Sequence, residues 1–164
     1  MLLKWRGIGQ AAAEARAFLD NDDFWTLDKL ERQAPVLSAD DTLDGVFGHV
    51  RQFADASASA DFIVPPEPQP GISRDTLLIR RSAFERFGFF DQSFAATEFV
   101  GWCTQAIARG LRTRTIPEVV AYRRIHATNT GIVRRQQQQQ ENLLGLKRAL
   151  DIRRQRSREK GPAS

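Results

Sequence analysis

The run Ala17-Phe18-Leu19 is cut off by Asp20, Asn21, Asp22 and Asp23, and apolar character returns only with Phe24 and Trp25. Ionised carboxylates in this number cannot follow an apolar run into a core without a large desolvation cost. The segment "EARAFLD" therefore reads as a strand that must stop at an acidic tip. That fixes the end of one element and raises the question of what so much negative charge is for.

Around this tip strands and helices alternate. "TLDKLERQAPVL" predicts a helix that Thr26 caps and Pro35 stops, and Ala11 to Ala13 predict the end of an earlier one. "DGVFGHVRQF" predicts a strand, as does "TLLIR", which leads into a short helix "SAFERFG" with Ser82 as N-cap and Gly88 just past its end. In "EFVGWCTQAIARG" the residues Phe99, Trp102, Cys103, Ala106 and Ile107 form one apolar stripe at helical spacing, closed by Arg109 and Gly110. "RTRTIPEVVAYRRI" predicts two short strands broken at Pro117. Between Ala54 and Gly71 four prolines forbid a helix or a central strand, so this stretch predicts a long loop, a candidate lid, anchored only at Phe62 to Val64. The alternation is an α/β pattern.

Composition narrows the class. With 164 residues and 41% of them hydrophobic, one domain with a real core is expected. The lone Cys103 has no intramolecular disulfide partner, and the early charge in "MLLKWRG" argues against a secretory leader, so a reducing cytoplasmic location is expected. No apolar run reaches the roughly 18 residues of a membrane span. The net charge of +4 comes from residues 134–164, whose arginines and lysines face only Glu141, Asp151 and Glu159; without them the body is mildly acidic. The high pI of 9.8 therefore gives no reason to expect a nucleic-acid partner.

Taken alone, the acidic tip has two readings. Carboxylates at the carboxyl end of a strand in an α/β sheet occupy the crevice where such folds take ligands, and oxygen donors suit Mg²⁺ or Mn²⁺ bound to phosphates. The other reading is a solvated turn in which Asp22 or Asp23 caps the next helix.

The surrounding text resembles a known family. "RGIGQAAAEARAFLDNDDFWTLDKLERQ" is similar to the central segment of family 2 glycosyltransferases, with Gly7, Ile8, Glu14, Phe18, Leu19, Asp20, Asp22, Asp23, Trp25, Lys29, Leu30 and Gln33 in matching places. "LLIRRSAFERFGFFDQSF" and "ARGLRTRTIPEVVAYRRIHATNTG" are similar to the family's later segments, so the resemblance runs in order over most of residues 6–131. It implies a GT-A domain over residues 1–133, a Rossmann-like, mixed and mostly parallel α/β sheet flanked by helices. It also implies transfer of a sugar, with inversion, from a nucleotide-diphosphate sugar to a hydroxyl acceptor.

The same resemblance assigns roles. Asp20 and Asp22 form a D-x-D that holds a divalent Mg²⁺ or Mn²⁺ ion and the donor, with His126 of "RRIHATN" as a further metal ligand and Arg123 and Arg124 on the phosphates. A metal there offsets charge on the departing diphosphate. Glu98 is the carboxylate nearest the family's catalytic base, although Phe99 stands where an aspartate is usual; it also reads simply as an acid at a helix N-terminus. The family's first strands, which build the nucleotide-base pocket, precede the segment matched by Met1 onward, so an incomplete enzyme with a partial sheet is implied, whose exposed edge a second chain completes or leaves bare; the alternatives to a transferase are a non-catalytic remnant and an interaction module that binds a metal or an acceptor.

The basic, glutamine-rich stretch 134–164 matches no family segment. "ENLLGLKRALDIRRQRSR" aligns Leu143, Leu146, Leu150 and Arg153 on one helical face. It reads either as an amphipathic helix lying on an anionic membrane, on its inner face, or as a solvated helix that frays into a disordered tail.

Overall fold

The computed structural model describes residues 14–58, 63–91, 97–127 and 135–159. The helix end expected at Ala11–Ala13 and the anchor expected at Phe62 lie outside them. Among the described residues six strands and four helices follow one another as β1 (Ala15–Ala17), β2 (Phe24–Trp25), α1 (Lys29–Ser38), β3 (Gly45–Ala54), β4 (Gln69–Pro70), β5 (Leu78–Arg80), α2 (Arg81–Phe87), α3 (Glu98–Arg109), β6 (Thr113–Ile125) and α4 (Arg135–Glu159). Among the described residues one 3₁₀ turn, Arg74–Thr76, precedes β5.

The strands form one mixed sheet in the order β1-β5-β3-β6-β2, with β4 added to β3. The expected parallel component is the long β3–β6 pair, and the other four pairings are antiparallel. Helices flank the sheet, as the α/β alternation requires.

Two prolines sit where the sequence predicts breaks, and neither breaks its element. Pro35 lies inside α1, and the helix continues past it through Ala39 N–H donating to Pro35 C=O at 2.9 Å. A proline costs roughly 3 kcal/mol in a helix interior; here burial of Lys29, Gln33 and Leu37 against the sheet offsets it. Pro117 lies inside β6, which is one strand of 13 residues rather than two. The β3–β6 register jumps there, from Phe47 opposite Thr115 to His49 opposite Val119, and the bulge excuses the missing N–H from the ladder.

Caps also differ from expectation. Asp28, not Thr26, precedes α1, and its carboxylate binds Arg32 rather than the backbone. Arg80, not Ser82, precedes α2. α3 ends as its sequence predicts: Gly110 takes φ 105°, a left-handed conformation natural to glycine, and donates back to Ala106 and Ile107. In the proline-rich loop, Ile63 is exposed rather than an anchor, and Gln69–Pro70 pairs at the sheet edge, the one place in a sheet where a proline is tolerated.

The core is aromatic. Phe18, Phe84, Phe90, Phe99 and Trp102 are buried with ring centroids 5.2 to 6.1 Å apart. The indole N–H of Trp102 donates to Gly88 C=O at 2.7 Å. Four of the five expected stripe residues of α3 are buried, while Ile107 is exposed. A second apolar layer, Leu37, Leu43, Val46, Leu78, Ile116 and Val120, lies beneath α1.

The basic segment is a packed helix along Arg135–Glu159, seated on α3 through Gly145, where a Cβ would lie 3.5 Å from Gly101 Cα. Arg156 donates to Ala108 C=O at 2.8 Å, and Glu141 accepts from the Thr97 backbone and hydroxyl at 2.9 and 3.0 Å. The leucine face lies to one side of this contact, with Leu143, Leu146 and Leu150 exposed. Among the described residues no helix is long and apolar enough to cross a membrane.

Candidate functional site

The acidic tip is held from both ends. Phe18 is sealed in the aromatic core and its carbonyl accepts the Trp25 indole N–H at 3.1 Å, so the chain turns sharply just beyond it. Asp20 N–H then donates to Asp75 Oδ1 at 2.7 Å, and Arg124 N–H donates to Asp23 Oδ1 at 3.0 Å. Residues 55 and 101 positions distant thereby fix the tip.

The result is a cluster of carboxylates. Oxygens of Asp20, Asp23 and Asp75 lie within 4.8 Å of one another. Asp75 is only 6% exposed, and burial, reinforced by the charge of Asp20, pushes its carboxyl up to about 7. Burial also raises Asp23, against the pull of the Arg124 N–H. A cluster of this kind is short of positive charge.

Arg74 supplies part of it. Its Nε lies 3.2 Å from Asp20 Oδ2 and its Nη1 2.6 Å from Glu98 Oε1, so one guanidinium joins the acidic tip to the first residue of α3. Asp20, Asp23, Arg74, Asp75, Glu98 and Arg123 line one crevice of about 320 Å³, together with Gln52, Gln69, Ser73 and Thr97. It opens past the carboxyl ends of β1, β3 and β6, the place where α/β sheets take ligands.

The expected site residues divide between this crevice and its margin. Asp20, Glu98 and Arg123 lie in the wall. Asp22 and His126 meet each other, Oδ2 to Nε2 at 2.9 Å, one residue along from Asp23. Arg124 contributes its backbone N–H to Asp23, and its side chain turns to Asp55, with Nε 4.0 Å from Oδ2, because successive residues of a strand face opposite sides.

Sequence reasoning missed Arg74 and Asp75. Both sit on the 3₁₀ turn, whose ends are tied by a reciprocal Ser73–Thr76 capping pair. The S-x-x-T spacing is a visible sign of such a turn, but nothing local says that it faces Asp20. Lys29 and Gln33 match a family pattern that gives them no role. The Lys29 ammonium donates to Gln33 Oε1 at 2.7 Å, and Gln33 Nε2 donates to Val46 C=O and to Thr76 C=O at 2.8 and 2.7 Å. That chain buckles α1 to the turn bearing Asp75. Burial pushes Lys29 down to about 7, with the Asp75 charge acting the other way.

A larger hollow of about 510 Å³ lies between α3 and α4, lined by Thr104, Ile107, Leu146, Leu150, Arg153 and Arg156. It brings no acid and base together. The lone thiol, Cys103, is buried and pushed up to about 12, so it is no nucleophile at neutral pH.

No protein-family model matches this sequence, and no curated protein matches it. Among solved structures, the chain is similar to residues 1–349 of S. aureus TarS, a glycosyltransferase, in complex with UDP, with a TM-score of 0.51 and 14% identity. The match covers 72% of this chain and 38% of that one. At so low an identity the likeness speaks for the fold alone, and the mixed sheet with its flanking helices is a glycosyltransferase-like fold.

Proposed function

We propose that this chain is a family 2-type glycosyltransferase domain that takes a nucleotide-diphosphate sugar and passes the sugar to a hydroxyl acceptor. The observation that carries the reading is the convergence of Asp20, Asp23, Asp75, Arg123 and Glu98 on one crevice at the strand ends. The likeness to a fold solved with UDP supports it.

An all-carboxylate donor set fits Mg²⁺ or Mn²⁺, and the Asp75 carboxyl, raised by burial and then by the Asp20 charge, is one that a bound cation would help to ionise. Asp20, Asp23 and Asp75 would hold the ion. Asp22 and His126, which meet each other at 2.9 Å, stand beside this donor set rather than within it. A divalent ion there supplies neutralisation of the diphosphate as it departs.

The chain's own residues do the rest. Arg123 offers a guanidinium to the phosphate oxygens. Glu98 accepts the proton of the acceptor hydroxyl as its oxygen attacks the anomeric carbon and the bond to the diphosphate breaks on the opposite face, which inverts the centre. A cytoplasmic site follows, with the exposed Leu143, Leu146 and Leu150 of α4, beside Lys147, Arg153 and Arg154, resting on an anionic inner leaflet.

Release of UDP from UDP-sugars by purified protein with Mn²⁺ is the test. Glu98→Gln should lower the rate by about 10² or more. Binding of Mn²⁺ and UDP without any turnover would favour a module that binds but does not transfer, and absence of both would overturn the reading.

A further inference from the structure

One cation occupies both ends of the proposed machinery. Arg74 Nε sits 3.2 Å from Asp20 Oδ2, a carboxylate of the proposed donor set, and its Nη1 sits 2.6 Å from Glu98 Oε1, the proposed base. All three side chains are only 21 to 22% exposed, so water screens these pairs poorly. A guanidinium cannot give up its charge to relieve the contact. A carboxylate oxygen already taken by a guanidinium is not free to meet a hydroxyl, and one already paired is a weaker ligand for a second cation.

We propose that Arg74 is a positioning residue that closes the site when no donor is bound and opens it when a divalent ion and diphosphate arrive together. The inference rests on the function proposed above. An ion taking Asp20 repels the guanidinium, while a diphosphate offers that planar guanidinium a bidentate acceptor. The side chain then leaves both carboxylates for the phosphates, and Glu98 is freed to take a proton. The backbone need not move, because the 3₁₀ turn is pinned by Thr76 Oγ1 donating to Gly71 C=O at 2.5 Å and by Gln33 on the Thr76 carbonyl.

The arrangement predicts effects of opposite sign at one residue. With its competitor gone, Arg74→Ala should bind Mn²⁺ alone about threefold or more tightly, and at saturating Mn²⁺ it should bind UDP about tenfold more weakly. Arg74→Lys, which keeps the charge and loses the fork, should hold Mn²⁺ near the wild-type affinity and still lose UDP affinity. Calorimetric titration of MnCl₂, then of UDP, reads both. An arginine that merely braces the fold would weaken the two together. Wild-type protein that binds Mn²⁺ and UDP, with Mn²⁺ affinity unchanged or lowered by Arg74→Ala, would overturn the gating role and leave the proposed function standing. Should the alanine variant not fold, loss of Mn²⁺ affinity in Arg74→Lys would overturn it equally. Wild-type protein that binds neither ligand would overturn the function itself and the gating role with it.

Discussion

The aromatic core and the carboxylate crevice are built from the same short segments and work in opposite directions. Phe18 and Asp20 are two residues apart, Phe99 follows Glu98, and Leu77 is two beyond Asp75. In each pair the apolar member is buried in the core, whereas the acid lines the crevice. The core gains from burial through apolar area and ring-edge contacts. The crevice loses, because it crowds like charges and strips water from Asp75. Asp44 shows that burial of an acid need not be costly: it is 8% exposed, yet Arg86 and the Arg112 N–H bind its two oxygens at 2.5 and 2.9 Å. The difference teaches that an acid buried beside like charges, as Asp75 is, costs stability where Asp44 does not, and that the core supplies the stability which lets the crevice acids be held there.

The contrast is broken most directly at Phe84, which is fully buried and packs, tilted or edge-on, against Phe18, Phe90 and Trp102. Phe84→Ala should cost about 3–5 kcal/mol in urea unfolding, and a loss below about 1 kcal/mol would mean that the core does not carry the site. Asp75→Asn should do the reverse. Asp75 keeps its proton up to about pH 7 in the folded chain but only to about its ordinary 3.8 when unfolded, so the folded state binds more protons between those values. Stability contributed at this residue is therefore fully present below pH 4, falls as pH rises to about 7 and is flat beyond. The asparagine, whose carbonyl still accepts the Asp20 N–H, should leave stability unchanged at pH 4 and raise it by roughly 1–3 kcal/mol at pH 8. Thermal melts at the two pH values would expose the opposite sign. The smallest effect lies on the border between the regions, where Glu141 of α4 serves as the cap that Thr97 does not provide for itself. Glu141→Ala should lower stability by about 1 kcal/mol and leave the pH profile as it is.

Much of the fold was legible locally. The stripe and glycine stop of α3, the strands β3 and β5 and the surface end of β1 each follow from spacing within a dozen residues. The prolines misled because propensity is local while its penalty is offset elsewhere: Pro35 is carried by the packing of α1 on the sheet, and Pro117 by a bulge that exists only because β3 lies alongside. On α4 Leu143, Leu146 and Leu150 stay exposed, and Gly145 and Ala149 make the seam, since close approach to Gly101 rewards small residues.

For the site, the sequence by itself determined that Asp20 to Asp23 must reach the surface at a strand end and that Glu98 begins a helix, because charge and capping act over a few residues. Only the tertiary structure decided which carboxylates meet. Asp75 joins Asp20 from 55 positions away, His126 meets Asp22 from 104 away, and Arg74 closes on Glu98 across 24. Those encounters depend on the strand order β1-β5-β3-β6-β2, which brings the 3₁₀ turn before β5 and the end of β6 to the acidic tip. Strand order is set by burial of the whole sheet, a sum over many distant contacts that no short stretch of sequence contains.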